Sequence, residues 1–338
     1  MFRFLISRLL QTILVLYLIA TVVFVMMKAV PGGPFSQERN VSEHILQKLE
    51  EQYGLHDPLH VQYAKYMWNI TPKRLSPRAL LAFDLKEGLG IDFGYSFRYE
   101  GRTVNQLIAE SLPVSAELGF YALIIAALLG ISTGSLAALK QNSSWDHIPM
   151  AIVMIGICLP TFVLGPILIL VFGFWVPEPF RLPVLFWEPS YDAPWLESLR
   201  YRILPAMTLG LYYAAGIARL TRGSMLEVLG QDYIRTARAK GVSPFNVVVK
   251  HGLRTGMIPV ISYLGPVAAH LITGSFVIEY IFMLPGLGRH LINAALNRDY
   301  TLIMGTVLVY AAILILFNFI VDTLLVWLNP RLRLRSNA

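Results

Sequence analysis

Charged residues and cysteines are scarce in this sequence. Only 14% of its 338 residues are charged, whereas 55% are hydrophobic. Soluble globular proteins have about a quarter charged residues, so a soluble fold does not fit this composition. The single cysteine, Cys158, excludes an internal disulfide, and no CxxC motif or His/Cys cluster indicates a metal site. We expect Cys158 to be packed inside the protein, because free cysteine is among the most buried residue types.

Six long apolar runs account for this composition, and charged residues mark their ends. A hydrocarbon core about 30 Å thick requires about 20 apolar residues per helix. The runs cover residues 9–27, 118–139, 148–176, 203–218, 255–278 and 301–321. The fourth run is short, and we expect its helix to continue past Arg219. The sequence therefore predicts an all-α integral membrane protein with about six transmembrane helices.

The first apolar run has an alternative interpretation as a secretory signal peptide, because it follows Arg3 and Arg8. Its apolar core is longer than the usual core of roughly 7–15 residues, and no clear small-x-small cleavage site follows it. We therefore favour a retained helix.

Lysine and arginine residues in short loops indicate the orientation of the chain, because they are enriched on the cytoplasmic side. With a cytoplasmic N-terminus, that side receives most of the basic residues of the short loops, which are Arg3, Arg8, Lys140, Arg219, Arg222, Arg235, Arg238, Lys240, Lys250 and Arg254. Both termini are then cytoplasmic, as an even number of spans requires. The net charge of +7 is explained by this placement and indicates no nucleic-acid partner.

We divide the chain into three parts. Residues 1–111 comprise the first transmembrane helix and a long extracytoplasmic region, in which Val61, Ala64, Met67 and Trp68 share one helical face, a stripe typical of ordinary packing. Residues 112–329 form the transmembrane domain, with a cytoplasmic loop at about 231–254. Residues 330–338 form a basic cytoplasmic tail that we expect to meet anionic membrane lipid.

The loop at 231–254 has the most informative local pattern. Good helix formers over residues 233–240 are followed by Gly241, which suits the C-terminal cap of a helix. Ser243 and Pro244 then favour a new helix, with serine as N-cap and proline at the first helical position. The pattern predicts a short helix, a break at the glycine and a second helix.

Two functions fit this loop. Its small side chains would allow close approach in a groove of a partner protein, where Arg235, Arg238 and Lys240 would meet carboxylates. The alternative is a basic loop that fixes the topology and has no partner. The local pattern leaves both open.

This loop resembles the cytoplasmic loop of permease subunits of ATP-binding-cassette importers, in which Glu-Ala-Ala is followed after three residues by Gly. Arg235, Thr236 and Ala237 occupy the first positions here and Gly241 the last, so the acidic residue is absent. These departures resemble the dipeptide and oligopeptide permeases, which carry Arg-Thr-Ala-x-Ala-Lys-Gly and His-x-Leu-Arg. Other segments resemble the B-type subunit of the same peptide/nickel branch, namely Arg8-Leu-Leu-Gln, Asp92-Phe-Gly-Tyr-Ser96, Leu159-Pro-Thr-Phe162, Leu204-Pro205, Ile281-Phe-Met-Leu-Pro-Gly-Leu-Gly288 and Asn297-Arg-Asp-Tyr300.

The resemblance implies the transmembrane domain of a type I importer in a bacterial inner membrane. A second homologous permease subunit, two cytoplasmic ABC ATPase subunits and an extracytoplasmic peptide-binding protein would be its partners. The residues implied to couple it to the ATPases are Arg235, Thr236, Ala237, Arg238, Ala239, Lys240, Gly241, Ser243 and Pro244. The chain lacks a Gly-x-x-x-x-Gly-Lys-Ser/Thr phosphate loop, so we expect a non-catalytic chain without a cofactor, and ATP and Mg in the partner ATPases.

Polar residues inside or near the spans are candidates for the pathway or for bundle contacts. His270 lies in the middle of the fifth run, and we favour a neutral histidine bonded to a neighbouring helix over a proton-linked residue, because ATP makes proton coupling unnecessary. Glu117 and Glu279 lie near the ends of spans, where solvation is expected. Pro160 and Pro166 in the third run favour kinks.

Two other transport functions remain open at this point. The same fold would serve for nickel or another small solute, because the binding protein selects the cargo. An ion-driven secondary transporter would work without ATPase partners. A membrane enzyme is disfavoured, because the sequence has no nucleophile–base pair and no metal-ligand spacing.

Overall fold

The computed structural model describes residues 2–30, 51, 54–74, 76, 84–184, 187, 194–272 and 275–328. The predicted basic tail at 330–338 lies outside these residues. Over the described ranges the chain is almost entirely helical, and an isolated antiparallel bridge joins Tyr95 to Thr103.

Thirteen α-helices lie within the described residues. They are α1 (Phe2–Ala29), α2 (Leu59–Ile70), α3 (Leu85–Leu89), α4 (Val104–Leu139), α5 (Ser144–Cys158), α6 (Thr161–Leu168), α7 (Trp195–Leu229), α8 (Asp232–Ala239), α9 (Pro244–Asn246), α10 (Arg254–Ile272), α11 (Phe276–Ile281), α12 (Leu287–Asn297) and α13 (Tyr300–Leu328). Two π-helical segments, Ile169–Trp175 and Val247–Leu253, continue α6 and α9.

Five helical stretches of the described chain are long and apolar enough to cross a membrane. They are Leu10–Ala29, Val104–Leu139, Glu197–Leu229, Val247–Ile281 and Tyr300–Ile320. The segments Ser144–Cys158 and Thr161–Trp175 make a sixth span if they are counted as one. The predicted number of about six is therefore matched when this broken pair is included.

The third apolar run is not one continuous helix. Its two halves are bent by 116° at a short break. Leu159 at the break is extended, with φ −98° and ψ 131°, because the residue before a proline is sterically disfavoured in the helical region. Pro160 thus breaks the helix and does not merely kink it. The fourth run behaves as predicted, since α7 continues past Arg219 to Leu229.

The chain forms two compact units. The first comprises residues 1–114 and 285–315, and the second residues 115–284 and 316–338. The predicted division at 111/112 lies close to the first of these boundaries. Residues 285–315, which the sequence placed in the transmembrane domain, belong to the first unit.

In the first unit, aromatic side chains pack α2 against α1. The Thr21 and Tyr63 hydroxyl groups are 2.8 Å apart, and the Phe24 ring stacks on Tyr66 with 5.6 Å between centroids. The predicted stripe of Val61, Ala64, Met67 and Trp68 is therefore not the packing face. Trp68 is 69% exposed, because the tyrosines supply both ring contacts and hydrogen bonds to α1.

His290 in α12 makes the stability of the first unit dependent on pH. Its ring packs edge-on against Tyr99, with 5.6 Å between centroids, and its buried Nδ1 has no hydrogen-bond partner. Burial lowers the pKa of His290, and the charges of Arg289 and Arg102 lower it further, against Glu110. The unfolded chain therefore binds the proton at higher pH than the folded chain.

We expect this unit to be fully stable above the unfolded histidine pKa of about 6.5 and to lose stability as the pH falls through the lower folded value. Thermal unfolding of the purified protein between pH 7.5 and about 5, followed by protease cleavage within the first unit, measures this. His290→Gln should reduce the pH dependence, whereas the exposed His60→Gln control should leave it unchanged. Equal pH profiles for wild type and His290→Gln would contradict the assignment.

In the second unit, α7 lies at the centre and packs against α5 and α10. Small residues on α7 allow this, since Ala214, Ala215 and Ala218 are all buried. Gly134 of α4 approaches α7 so closely that a Cβ there would lie 2.4 Å from the Ala218 carbonyl oxygen. Gly130, one turn earlier, lies equally close to Ile217 of α7, so the contact between α4 and α7 depends on these two glycines.

The prediction that Cys158 is buried is wrong for this chain. Cys158 ends α5 and is exposed on the surface. Its apolar neighbours in the sequence belong to a helix that packs on α7 with one face and leaves the other face exposed. In a membrane protein an apolar run therefore does not indicate burial within the chain, because lipid is as apolar as a protein core.

Candidate functional site

The segment after α7 folds as a capped helix followed by a sharp reversal. Helix α8 ends at Ala239, and Gly241 adopts a left-handed conformation with φ +77°. The Gly241 N–H donates to the Arg238 carbonyl oxygen at 3.0 Å, and the Val242 N–H donates to the Ala237 carbonyl oxygen at 3.2 Å. This pair of bonds is the Schellman motif, which satisfies the last carbonyl groups of a helix and favours glycine at the left-handed position. The predicted break at Gly241 is therefore observed.

A small apolar cluster holds this segment against the rest of the second unit. Ile234, Ala237 and Val247 are buried together, and Leu229 and Val242 pack against them. The cluster joins the end of α7, helix α8 and Val247, which follows α9. Movement of α8 would therefore be passed directly to α7. Ala237 faces this cluster, so its small side chain serves packing within the chain and is not available to a partner.

The opposite face of α8 is exposed and mainly basic. Thr236 and Ala239 are small exposed residues on this face, and Arg235 and Lys240 flank them. Arg238 is exposed at the edge of the helix beside α7, where it lines a cavity with Leu226 and Leu229. Arg235 lies 3.6 Å from the Asp232 carboxylate, but both side chains are highly exposed, so this pair contributes little stability. This face thus carries a net positive charge, and its small side chains allow close approach of a partner. Both properties suit a groove lined by carboxylates.

The second helix of the segment begins where the sequence predicted. The Asn246 N–H donates to Ser243 Oγ at 3.4 Å, and α9 starts at Pro244. The π-helical segment that follows leads into α10. Phe245 projects into solvent and is 73% exposed. A large exposed aromatic residue beside an exposed basic helix is typical of a protein contact surface.

Two ion pairs fix α7 to its neighbours near the two ends of its apolar segment. Arg222 binds Asp146 of α5 through two charge-assisted hydrogen bonds of 2.7 and 2.8 Å, and the Asp146 carboxylate is 2% exposed. Arg202 binds Glu117 of α4 at 2.8 Å. Positions 202 and 222 lie about 30 Å apart along a helix, which is the thickness of a hydrocarbon core.

Glu117, His270 and Glu279 do not all lie where the sequence indicated. Glu117 is half-buried and serves as a contact within the bundle through Arg202. His270 lies in the last turn of α10, inside the apolar stretch Val247–Ile281, and is exposed on the surface of the chain. Glu279 in α11 is fully buried, so the expectation that it is solvated is wrong. The short helix α11 packs on α6 and α7, which closes water off from its inner face.

In the first unit, two motifs that are far apart in the sequence meet at Asp299. The buried Asp299 carboxylate accepts hydrogen bonds from Ser96 Oγ, the Phe97 N–H at 3.2 Å, Thr301 Oγ1 at 2.9 Å and the Leu302 N–H at 3.2 Å. The last bond caps the first turn of α13. The segment 92–96 is thereby tied to the start of the last long helix.

We expect Asp299→Ala to loosen this junction, because it leaves several buried donors without an acceptor, at a cost of roughly 2 kcal/mol. Limited proteolysis of the purified protein should show faster cleavage between residues 92 and 103. The matched control Glu100→Gln changes an exposed carboxylate in the same loop and should cleave at the wild-type rate. Wild-type cleavage of Asp299→Ala would contradict this role.

The sequence did not indicate the Asp146–Arg222 pair. Both residues stand near the ends of apolar runs, where a charge is expected in any case. They are separated by 76 positions, and periodicity carries no information about such a contact.

Comparisons with known proteins cover nearly the whole chain. The family model described as "Binding-protein-dependent transport system inner membrane component" matches residues 130–334. A second model, described as the N-terminal part of such membrane components, matches residues 1–119.

Curated relatives match over their full length. The oligopeptide transport system permease protein OppB of Haemophilus influenzae is 41% identical over 333 residues, which cover 98% of this chain and 100% of OppB. The dipeptide transport system permease protein DppB of Bacillus subtilis is 40% identical over 338 residues, which cover all of both chains.

Among solved structures, an inward-facing form of the MetNI methionine ABC transporter resembles this chain with a TM-score of 0.53 and 16% identity. The match covers 66% of this chain and 97% of the transporter chain. At this identity the likeness concerns the fold.

Proposed function

Because this chain belongs to the family of binding-protein-dependent transport system inner membrane components, we propose that it is a permease subunit of an ATP-driven peptide importer in a bacterial inner membrane. Relatives named as oligopeptide and dipeptide permease proteins, 41% and 40% identical over nearly full length, support peptide as the cargo. The chain would form half of the pathway, and a second homologous permease subunit would form the other half.

The observation that carries the proposal is the two-sided construction of α8. Its inner side is fixed to α7 by the cluster around Ile234 and Ala237, and its outer side presents Arg235 and Lys240. A carboxylate-lined groove on each cytoplasmic ATPase subunit would bind this outer side. Closure of the ATPases on ATP would then move α8, and α8 would move α7. This chain would hydrolyse no ATP itself.

Transport requires at least two states of the pathway whose balance a ligand can shift. ATP in the partner ATPases would supply that difference, and an extracytoplasmic peptide-binding protein would deliver peptide at the other face. The membrane chain then needs rigid helices that turn as units. The two ion pairs on α7 suit that requirement, since they lock the helix to α4 and α5.

The test is uptake into liposomes that contain the assembled transporter, with its binding protein outside and ATP inside. We expect ATP-dependent uptake of labelled dipeptides or oligopeptides and no uptake with a non-hydrolysable ATP analogue. Radioactive nickel and a labelled peptide should be compared in the same vesicles. Nickel uptake without peptide uptake would overturn the cargo, and uptake driven by an ion gradient without ATP would overturn the mechanism.

A further inference from the structure

A cavity of about 530 Å³ lies where the ends of α4 and α7 meet α8. Apolar side chains form part of its wall, including Leu139, Leu226 and Leu229. Lys140 and Arg238 complete the lining on the polar side. The cavity therefore combines an apolar surface with two cationic groups from different helices.

The charge of this cavity is not neutralised by the chain. The Lys140 and Arg238 side chains take part in none of the ion pairs formed by the described residues, and no acidic residue lines the cavity. The nearby Asp146 carboxylate is held by Arg222 at 2.7 and 2.8 Å. Because that pair is neutral as a whole, the field in the cavity is set by the two unpaired cations.

The position along the helices places the cavity at the membrane surface. The apolar spans Val104–Leu139 and Glu197–Leu229 both end at its wall. Trp145, two residues after the lining residue Ser143, is 63% exposed. Exposed tryptophan is enriched at the level of the lipid headgroups, and lysine directly after a span typically reaches the same level.

We propose that this cavity is a binding site for an anionic glycerophospholipid. Lys140 and Arg238 would bind the headgroup phosphate, and the acyl chains would lie along Leu139, Leu226 and Leu229. The larger, polar part of the lining suits a headgroup, and the three leucines give the first carbons of the acyl chains an apolar surface that free phosphate would not use. The same surface, open at the depth of the headgroups, disfavours an acidic segment of a partner protein. A lipid held here would join α8 to the ends of α4 and α7.

The experiment uses the complete transporter purified in mild detergent and analysed by native mass spectrometry. Phosphatidylglycerol is titrated against phosphatidylcholine, with inorganic phosphate as a soluble competitor. The variant Lys140→Gln/Arg238→Gln removes both cations. The matched control Lys250→Gln removes an exposed cation of the same segment that does not line the cavity.

We expect one phosphatidylglycerol to be retained more tightly than phosphatidylcholine. The double variant should bind it roughly twentyfold more weakly, since each basic residue near an anionic lipid contributes about a fivefold change, while Lys250→Gln should bind as wild type does. Equal retention by wild type and the double variant would overturn the proposal, as would equal retention of both lipids. Displacement by millimolar phosphate would identify a free-anion site instead.

The same spectra show whether the ATPase subunits remain bound. Retention of phosphatidylglycerol only in complexes that have lost the ATPases would mean that a partner protein fills the cavity, which would also overturn the lipid assignment. The peptide-importer proposal is tested by other measurements, namely the presence of the ATPase subunits in the complex and the uptake of labelled peptide into liposomes. Each proposal therefore fails on a different measurement.

Discussion

Gly241→Val is expected to uncouple peptide uptake from ATP hydrolysis while the protein still inserts into the membrane. Gly241 has φ +77°, and no atom outside its neighbours lies within 4 Å of the position that a Cβ would take. The effect therefore comes from the backbone and not from a clash. A left-handed residue with a side chain costs roughly 1–2 kcal/mol, and a β-branched residue costs more.

The backbone strain at residue 241 would destabilise the Schellman motif that ends α8. Loss of the bond from the Val242 N–H to the Ala237 carbonyl oxygen would release Val242 from the cluster that holds α8 against α7. We expect uptake to fall about tenfold or more in reconstituted vesicles, with ATP hydrolysis no longer stimulated by the loaded binding protein. Membrane insertion should be unchanged, because no apolar span is altered.

Gly241→Asn is the matched control, because asparagine tolerates the left-handed conformation far better than valine does. It adds a side chain to the same open space and should retain most of the uptake. If valine and asparagine reduced uptake equally, the side chain would be obstructing a partner and backbone strain would not be the cause. Normal uptake by Gly241→Val would remove the coupling role altogether.

Asp146→Ala is expected to destabilise the second unit by about 3 kcal/mol. The substitution leaves Arg222 without its carboxylate in a site where the Asp146 side chain is 2% exposed and that of Arg222 is 29% exposed. Removing one partner of a buried pair typically costs about 3–5 kcal/mol, and the partial exposure of Arg222 places this case at the lower end. Thermal unfolding in detergent should show a Tm lower by roughly 5–10 °C.

Two further variants separate the charge from the packing. Asp146→Leu combined with Arg222→Met replaces the pair by apolar side chains and should recover most of the lost stability. Asp232→Ala removes a carboxylate from the exposed pair with Arg235 and should change the Tm by about 1 °C or less. A wild-type Tm for Asp146→Ala would show that the pair contributes nothing to stability.

The local features of this protein were accessible from the sequence because each depends on neighbouring residues. Charge-free runs of spanning length predicted helices, since a bilayer imposes their length. The break at Gly241 and the helix start at Ser243 and Pro244 followed from backbone preferences that act within a few residues. These features were enough to predict an integral membrane protein and the pair of short helices after α7.

The tertiary structure decided which side chains of those elements meet. Asp146 and Arg222, and likewise Ser96 and Asp299, are paired across long stretches of chain, and no periodic pattern encodes such contacts. The structure also decided that Ala237 faces inward while Thr236 and Ala239 remain exposed, and that Trp68 lies outside the packing face of α2. In a chain where most surfaces are apolar, hydrophobicity indicates where a helix crosses the membrane. It does not distinguish the side that packs against protein from the side that faces lipid.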